Sequence, residues 1–280
     1  MQVRIVVDST ADLLPELKAQ VSVVPLTVHF GDQEYVDGVT IDHKTFYEKL
    51  VESDVMPTTS QPTPDAFAQI FREAQAAGEQ VVVLTVSSKL SGTCQSAHIA
   101  AADFPGMVWV VDTKTVAIGE AILAELALRL KAEGLSAPEI AARLEQEREQ
   151  IHVIALLDTL EYLKKGGRIS KTAAIAGGML SIKPVLAIRN GEIVSLGKAR
   201  GSKQGNNLLV QEIEKAGGVD FNRPVLLGYT GLSDVLLLKY IEDSKHIWEV
   251  GLDDVRYTTI GSVIGTHAGP GAVAVAFFKN

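Results

Sequence analysis

The chain has 280 residues, 46% of them hydrophobic, enough to bury a sizeable core in one large domain or two ordinary ones. Its 26 Lys and Arg against 34 Asp and Glu give a formal net charge of −8, which opposes the phosphate-neutralising surface of a nucleic-acid binder. A single cysteine, Cys94, excludes an intramolecular disulfide, and the longest apolar runs fall far short of the roughly 20 residues that span a bilayer.

The first residues, MQVRIVVDSTADL, lack the basic and long apolar segments of a secretion signal, so a cytoplasmic protein is expected. Val3–Val7 reads as a buried strand, followed by Ser9 and Asp12 at capping-box spacing. Residues 21–30 are β-rich. Thr63-Pro64 supplies an N-cap and first helical position for a helix over 65–77, with Phe67, Ile70, Phe71 and Ala74 on one face. Buried strands are predicted at 81–86 and 107–111. A helix over 116–132 stops at Gly134, and Ser136-Ala137-Pro138-Glu139 starts another that runs to about Gln150.

Beyond that point the pattern changes. A strand over 151–157 is followed by a hairpin, 182–189 and 192–196, joined by Asn190-Gly191, which suits a type I′ turn. Helices are predicted over 202–216 and 233–243, and strands over 224–229, 255–260 and 272–278. Alternating apolar strands and helices imply a parallel sheet covered on both faces, and a hairpin beside crossovers implies a mixed sheet. The expected fold is therefore α/β in two domains: 1–150, a parallel three-layer α/β/α domain, and 151–280, a mixed-sheet α/β domain.

Charge is unevenly distributed. Residues 164–203 hold nine basic side chains, Arg168, Lys171 and Arg200 among them, against Glu192 alone. Such a segment is either a solvated face or a cationic patch for an anionic ligand or acidic partner.

Enzyme signatures are nearly matched but fail on inspection. GGRISKT (166–172) resembles the end of a P-loop, yet Ser170 stands where glycine must precede Lys171. Gly269-Pro270-Gly271 imitates a dinucleotide fingerprint but leads into a strand close to the C-terminus. The six histidines (29, 43, 98, 152, 246 and 267) contain no i, i+4 pair, so no metal site is expected.

Three segments do carry chemistry. TSQPTP (59–64), SSKLSGT (87–93) and THAGPGA (266–272) place hydroxyls and one imidazole in what read as loops at strand ends. Taken singly, a Ser or Thr before a helix reads as an N-cap and a lone histidine as a structural group. Ser91 and His267 also suggest a hydrolytic pair, although no orienting acid can be assigned to His267.

Together with GGRISKT, and in this order, these segments resemble the DegV family across nearly the whole chain, from DSTADL (8–13) to THAGPGAVAVAFF (266–278). The resemblance implies two α/β domains with one long-chain fatty acid between them and no cofactor. By motif, the carboxylate ligands fall on Thr59, Ser91 and His267, with Ser60, Gly92 and Thr93 beside them. Arg168 and Arg200 become the cations near the head group or facing a partner. The resemblance further implies a fatty-acid-binding subunit, not itself an enzyme, that serves a separate ATP-binding fatty acid kinase. Acyl phosphate then passes to phospholipid synthesis, with an acyltransferase as a further implied partner. A stand-alone esterase or acyltransferase using Ser91 and His267 is the alternative, and a kinase related by fold to dihydroxyacetone kinases a more distant one.

Overall fold

The computed structural model describes residues 2–169 and 182–280. Ser170, Lys171 and Thr172 of GGRISKT therefore lie outside the described residues. Thirteen strands are described, in chain order β1 (Val3–Asp8), β2 (Ser22–Val24), β3 (Thr27–Phe30), β4 (Gln33–Val36), β5 (Thr58–Ser60), β6 (Gln80–Thr85), β7 (Val108–Asp112), β8 (Ile151–Leu156), β9 (Ile182–Arg189), β10 (Glu192–Arg200), β11 (Leu226–Tyr229), β12 (Tyr257–Thr259) and β13 (Val273–Phe278).

They form three sheets. The first, ordered β2-β1-β6-β7, is wholly parallel, as the continuous apolar runs of β1 and β6 require of strands covered on both faces. The second, ordered β10-β9-β8-β13-β11-β12, is mixed: antiparallel throughout except for the β11–β12 pair. The third, a small antiparallel sheet ordered β4-β3-β5, is absent from the sequence reading, which takes residues 21–30 as a single β-rich stretch. Pro25 and Leu26 divide that stretch, so β2 joins the parallel sheet and β3 leaves it.

The helix Ile118–Ala132 lies between the first two sheets, with ten of its residues buried. Its apolar side chains join one cluster that includes Ile5, Leu84, Val153, Ala274 and Phe278, so the main core crosses residue 150. The helix is apolar nearly all round because it is covered nearly all round.

Local signals account for several boundaries. Thr63 accepts from the Ala66 amide at 3.3 Å and Pro64 opens the helix Pro64–Ala76. Ser136 and Glu139 form a reciprocal capping box for the helix Ala137–Glu147, which is followed by a 3₁₀ turn over Arg148–Gln150. Asn190 and Gly191 both have positive φ, 52° and 81°, as a type I′ turn demands. β10 runs on to Arg200 because a bulge between Ser195 and Gly197 lets the pairing resume.

Two expectations are corrected. Ser9 and Asp12 do not cap a local helix: the Ser9 hydroxyl accepts from the Leu26 amide at 3.0 Å and Asp12 accepts from the Gly261 amide at 2.7 Å. The helix His43–Glu52, capped by Asp42 on the Thr45 amide, is absent from the sequence reading. Its buried Phe46, Tyr47 and Leu50 sit among charged neighbours and give a weak apolar stripe.

Candidate functional site

Thr59 occupies the middle of β5, paired with Val28 of β3. The segment that carries it was expected to be a loop, but its first residues complete the small antiparallel sheet before Pro62 and Pro64 turn the chain into a helix. Gln61 then crosses to the neighbouring loop. Its amide donates to the Gly92 carbonyl at 3.2 Å and to the buried Ser96 hydroxyl at 2.9 Å.

In SSKLSGT the hydroxyls separate by task. Ser87 donates to the Gly191 carbonyl at 2.7 Å, docking the β9–β10 turn, and Ser88 donates to Asp112 at 2.5 Å. Among the described residues the Ser91 hydroxyl pairs only with Thr93, side chain to side chain at 2.8 Å and as a weak acceptor of its amide at 3.3 Å. Gly92 is the N-cap of the helix Thr93–Ala101 and Thr93 is its buried first residue.

His267 also departs from the loop expected. It lies in the last turn of the helix Ser262–Ala268, which Gly269 ends with a φ of 70°. That short helix is held from the far side of the chain. Asp12 satisfies the amide of its N-cap, Gly261, and the Tyr47 hydroxyl donates to the Ile260 carbonyl at 2.8 Å. Burial pushes the Asp12 carboxyl well above the usual carboxylate range.

The Thr59 Oγ1 and His267 Nε2 atoms are 2.9 Å apart. Nδ1 of the same ring is buried without a hydrogen-bond partner among the described residues. Burial first, and the positive charge of Arg168 second, push the imidazole down to about 4, so it is neutral at physiological pH. Arg168 itself bridges two segments, donating to the Leu90 carbonyl at 3.3 Å and the Gly166 carbonyl at 2.9 Å.

Thr59, Ser60, Ser91, Arg168 and His267 line one cavity of about 320 Å³, near the lower end of the range in which small-molecule sites fall. Its remaining wall is mostly aliphatic and comes from both halves of the chain. Val116 and Ile118 line it together with Val153, Ala155, Ile188 and Ala274. Arg200 is not among the lining residues. It ends the edge strand β10, its amide engaged by Gln204 at 2.6 Å. Gly92 and Thr93 stand directly behind Ser91 without lining the cavity.

The residues brought together are neutral hydrogen-bond donors with one guanidinium at an exposed rim, opening onto an apolar interior. Such a set accepts an anionic oxygen pair with a hydrocarbon tail. It does not form a hydrolytic triad: among the described residues no carboxylate reaches His267 Nδ1, and Nε2 is engaged by Thr59 rather than Ser91. Among the described residues no group of His, Cys, Asp or Glu has metal-binding geometry, and no helix is long and apolar enough to cross a membrane.

Two residues were overlooked in the sequence. Gln61 lines the cavity and ties the Thr59 strand to the Ser91 loop. Gly166 packs against His267, since a Cβ there would overlap the ring. Both fall inside motifs already singled out, but only three-dimensional packing gives them a task.

A family model described as an uncharacterised protein of the DegV family matches residues 2–280. A DegV domain-containing protein of Deinococcus radiodurans is 37% identical over 282 residues, covering 99% of this chain and 98% of its own length. Among solved structures, a DegV family protein from Thermus thermophilus, described for its fatty acid binding, superposes with a TM-score of 0.90 at 33% identity and covers 100% of both chains. A stearic acid-binding protein from Eubacterium ventriosum gives a TM-score of 0.87 at 29% identity, covering 100% of this chain and 98% of its own.

Proposed function

Because this chain belongs to the DegV family, we propose that it binds one long-chain fatty acid, holding the carboxylate at Thr59, Ser91 and His267. The observation that carries the reading is the single cavity in which those three side chains meet an aliphatic interior. The fatty acid binding of the Thermus thermophilus protein and the stearic acid binding of the Eubacterium ventriosum protein support the ligand class. In this reading residues 1–150 and 151–280 are two domains that supply opposite walls.

Affinity and orientation then have separate sources. Burying the tail contributes about 0.8 kcal/mol per methylene, so the aliphatic wall provides most of the binding. The head group gains hydrogen bonds from neutral donors, with Arg168 as the nearby positive charge, so its own charge is not stranded.

We further propose that the protein acts in the cytoplasm as a carrier. It presents the carboxylate to a separate ATP-dependent kinase, whose acyl phosphate product feeds phospholipid synthesis. Arg168, at the rim, stabilises the charge that builds as phosphate is transferred, and Arg200 serves the partner surface. Native mass spectrometry of the gently purified protein tests the first part: one fatty acid should accompany the chain, leave on delipidation and return with palmitate or oleate. A protein that is always empty and rejects both would sink the reading.

A further inference from the structure

The two glycines of the GGR turn differ in kind. Gly167 has a φ of 67° and, among the described residues, nothing within 4 Å of where a Cβ would stand, so it serves the backbone. Gly166 has φ −74° and ψ −8°, a conformation open to any residue, so its backbone does not call for glycine. What excludes a side chain at Gly166 is His267: a Cβ would overlap Nδ1 and stand 2.9 Å from Cε1.

This packing has a chemical consequence. With the Gly166 Cα pressed against it, Nδ1 faces no acceptor among the described residues and is sealed from solvent. A neutral imidazole carries one proton, on one nitrogen or the other. Were it on Nδ1, a buried N–H would be left without an acceptor, which folded proteins rarely tolerate; a lone pair left there is the lesser penalty. The proton then sits on Nε2, 2.9 Å from Thr59 Oγ1, and is donated to that hydroxyl. Thr59, having accepted, is free to turn its own O–H toward the cavity.

We infer that Gly166 is a positioning residue that fixes His267 as its Nε2–H tautomer, so that His267 and Thr59 act in series as donors to an anionic head group. The tautomer follows from the packing alone; the task given to it rests on the fatty-acid reading.

The test begins with long-range proton–nitrogen correlation spectra of ¹⁵N-labelled, delipidated protein at neutral pH, with the His267 signal identified by its loss in His267→Gln. The expected pattern is that of a neutral ring protonated on Nε2. Thr59→Val should keep this pattern, because the packing at Nδ1 is untouched. Gly166→Ala should lose it and weaken palmitate binding by about tenfold or more, the scale of one hydrogen bond to a charged group. Binding of hexadecan-1-ol, which has the tail but no carboxylate, should change less. An Nδ1–H or charged ring in the wild type would overturn the inference. So would a tautomer switch in Thr59→Val, or a Gly166→Ala protein that keeps both signal and affinity. If Gly166→Ala fails to fold, the wild-type and Thr59→Val spectra still decide. A wild type that shows the Nε2–H pattern but rejects palmitate would leave the inference standing and remove the fatty-acid reading instead.

Discussion

The hydroxyl of Thr59 and the imidazole of His267, 208 residues apart in the chain, meet at 2.9 Å across the rim of the main cavity. These two groups hold one another in the cavity wall, which fixes the geometry that a bound head group would meet. Organisation of this kind lowers the ordering cost of binding.

Thr59→Val keeps the shape of the side chain and removes its hydroxyl. It should weaken palmitate binding by about 1.5–3 kcal/mol, or roughly tenfold to a hundredfold, the range for a hydrogen bond to a charged group. Calorimetry on delipidated protein measures it, and an unchanged affinity would take Thr59 out of the site.

Chain-length preference should be set on the second sheet. Ala155 of β8 and Ala274 of β13 are paired directly across their strands and both line the cavity, so their small side chains leave room above them. Ala274→Leu should fill that room and lower affinity for stearate more than for laurate. Competition binding with the two acids checks this; an equal loss for both would place the tail elsewhere.

Arg200 stands outside the cavity, on the exposed end of β10. Arg200→Ala should therefore leave palmitate binding within about twofold, as expected of a surface substitution away from the ligand. Phosphorylation of the bound acid by a purified kinase partner should slow. Loss of palmitate itself would move Arg200 to the carboxylate.

A fourth prediction concerns pH. The Asp8 carboxyl is fully buried, and burial outweighs its bonds to the Val86 and Thr10 amides, raising it from 3.8 to about 6. Between those values the folded protein holds a proton that the unfolded chain has released. Its contribution to stability is complete below pH 3.8 and is lost as pH rises to about 6, a change of about 3 kcal/mol. The stability of the wild type relative to Asp8→Asn should thus decline across that window in urea titrations. A difference that grows with pH would contradict the assignment.

Much of this architecture is written locally. The strands β1, β6 and β13 are apolar on both faces because both faces are covered, and that shows as unbroken runs. Asn190-Gly191 and Ser136–Glu139 announce a turn and a helix start through backbone and capping chemistry confined to a few residues. The cavity-lining residues Thr59, Ser91 and His267 were legible as motifs. Ser91 lies in the loop expected, but the strand of Thr59 and the helix of His267 were not legible. The helix Ser262–Ala268 carries a glycine and β-branched residues that disfavour a helix, and it is held by the distant Tyr47, whose ring packs where a Cβ on Gly265 would stand. The partnership of Gly166 with His267 is likewise a tertiary contact that no spacing rule reports. Arg200 marks a different limit, since a count of charges along 164–203 gives no direction in which any one of them points, and Arg200 does not line the cavity.

The most direct measurement is a crystal structure of the protein soaked or grown with palmitate. The account predicts one elongated ligand beside Ile118 and Ala274, its carboxylate oxygens within hydrogen-bond distance of Thr59 and Ser91, with His267 donating to the Thr59 hydroxyl behind them. A ligand lying in reverse, with its carboxylate buried beside Thr10 and Thr230, or a cavity still empty at saturating palmitate, would contradict it.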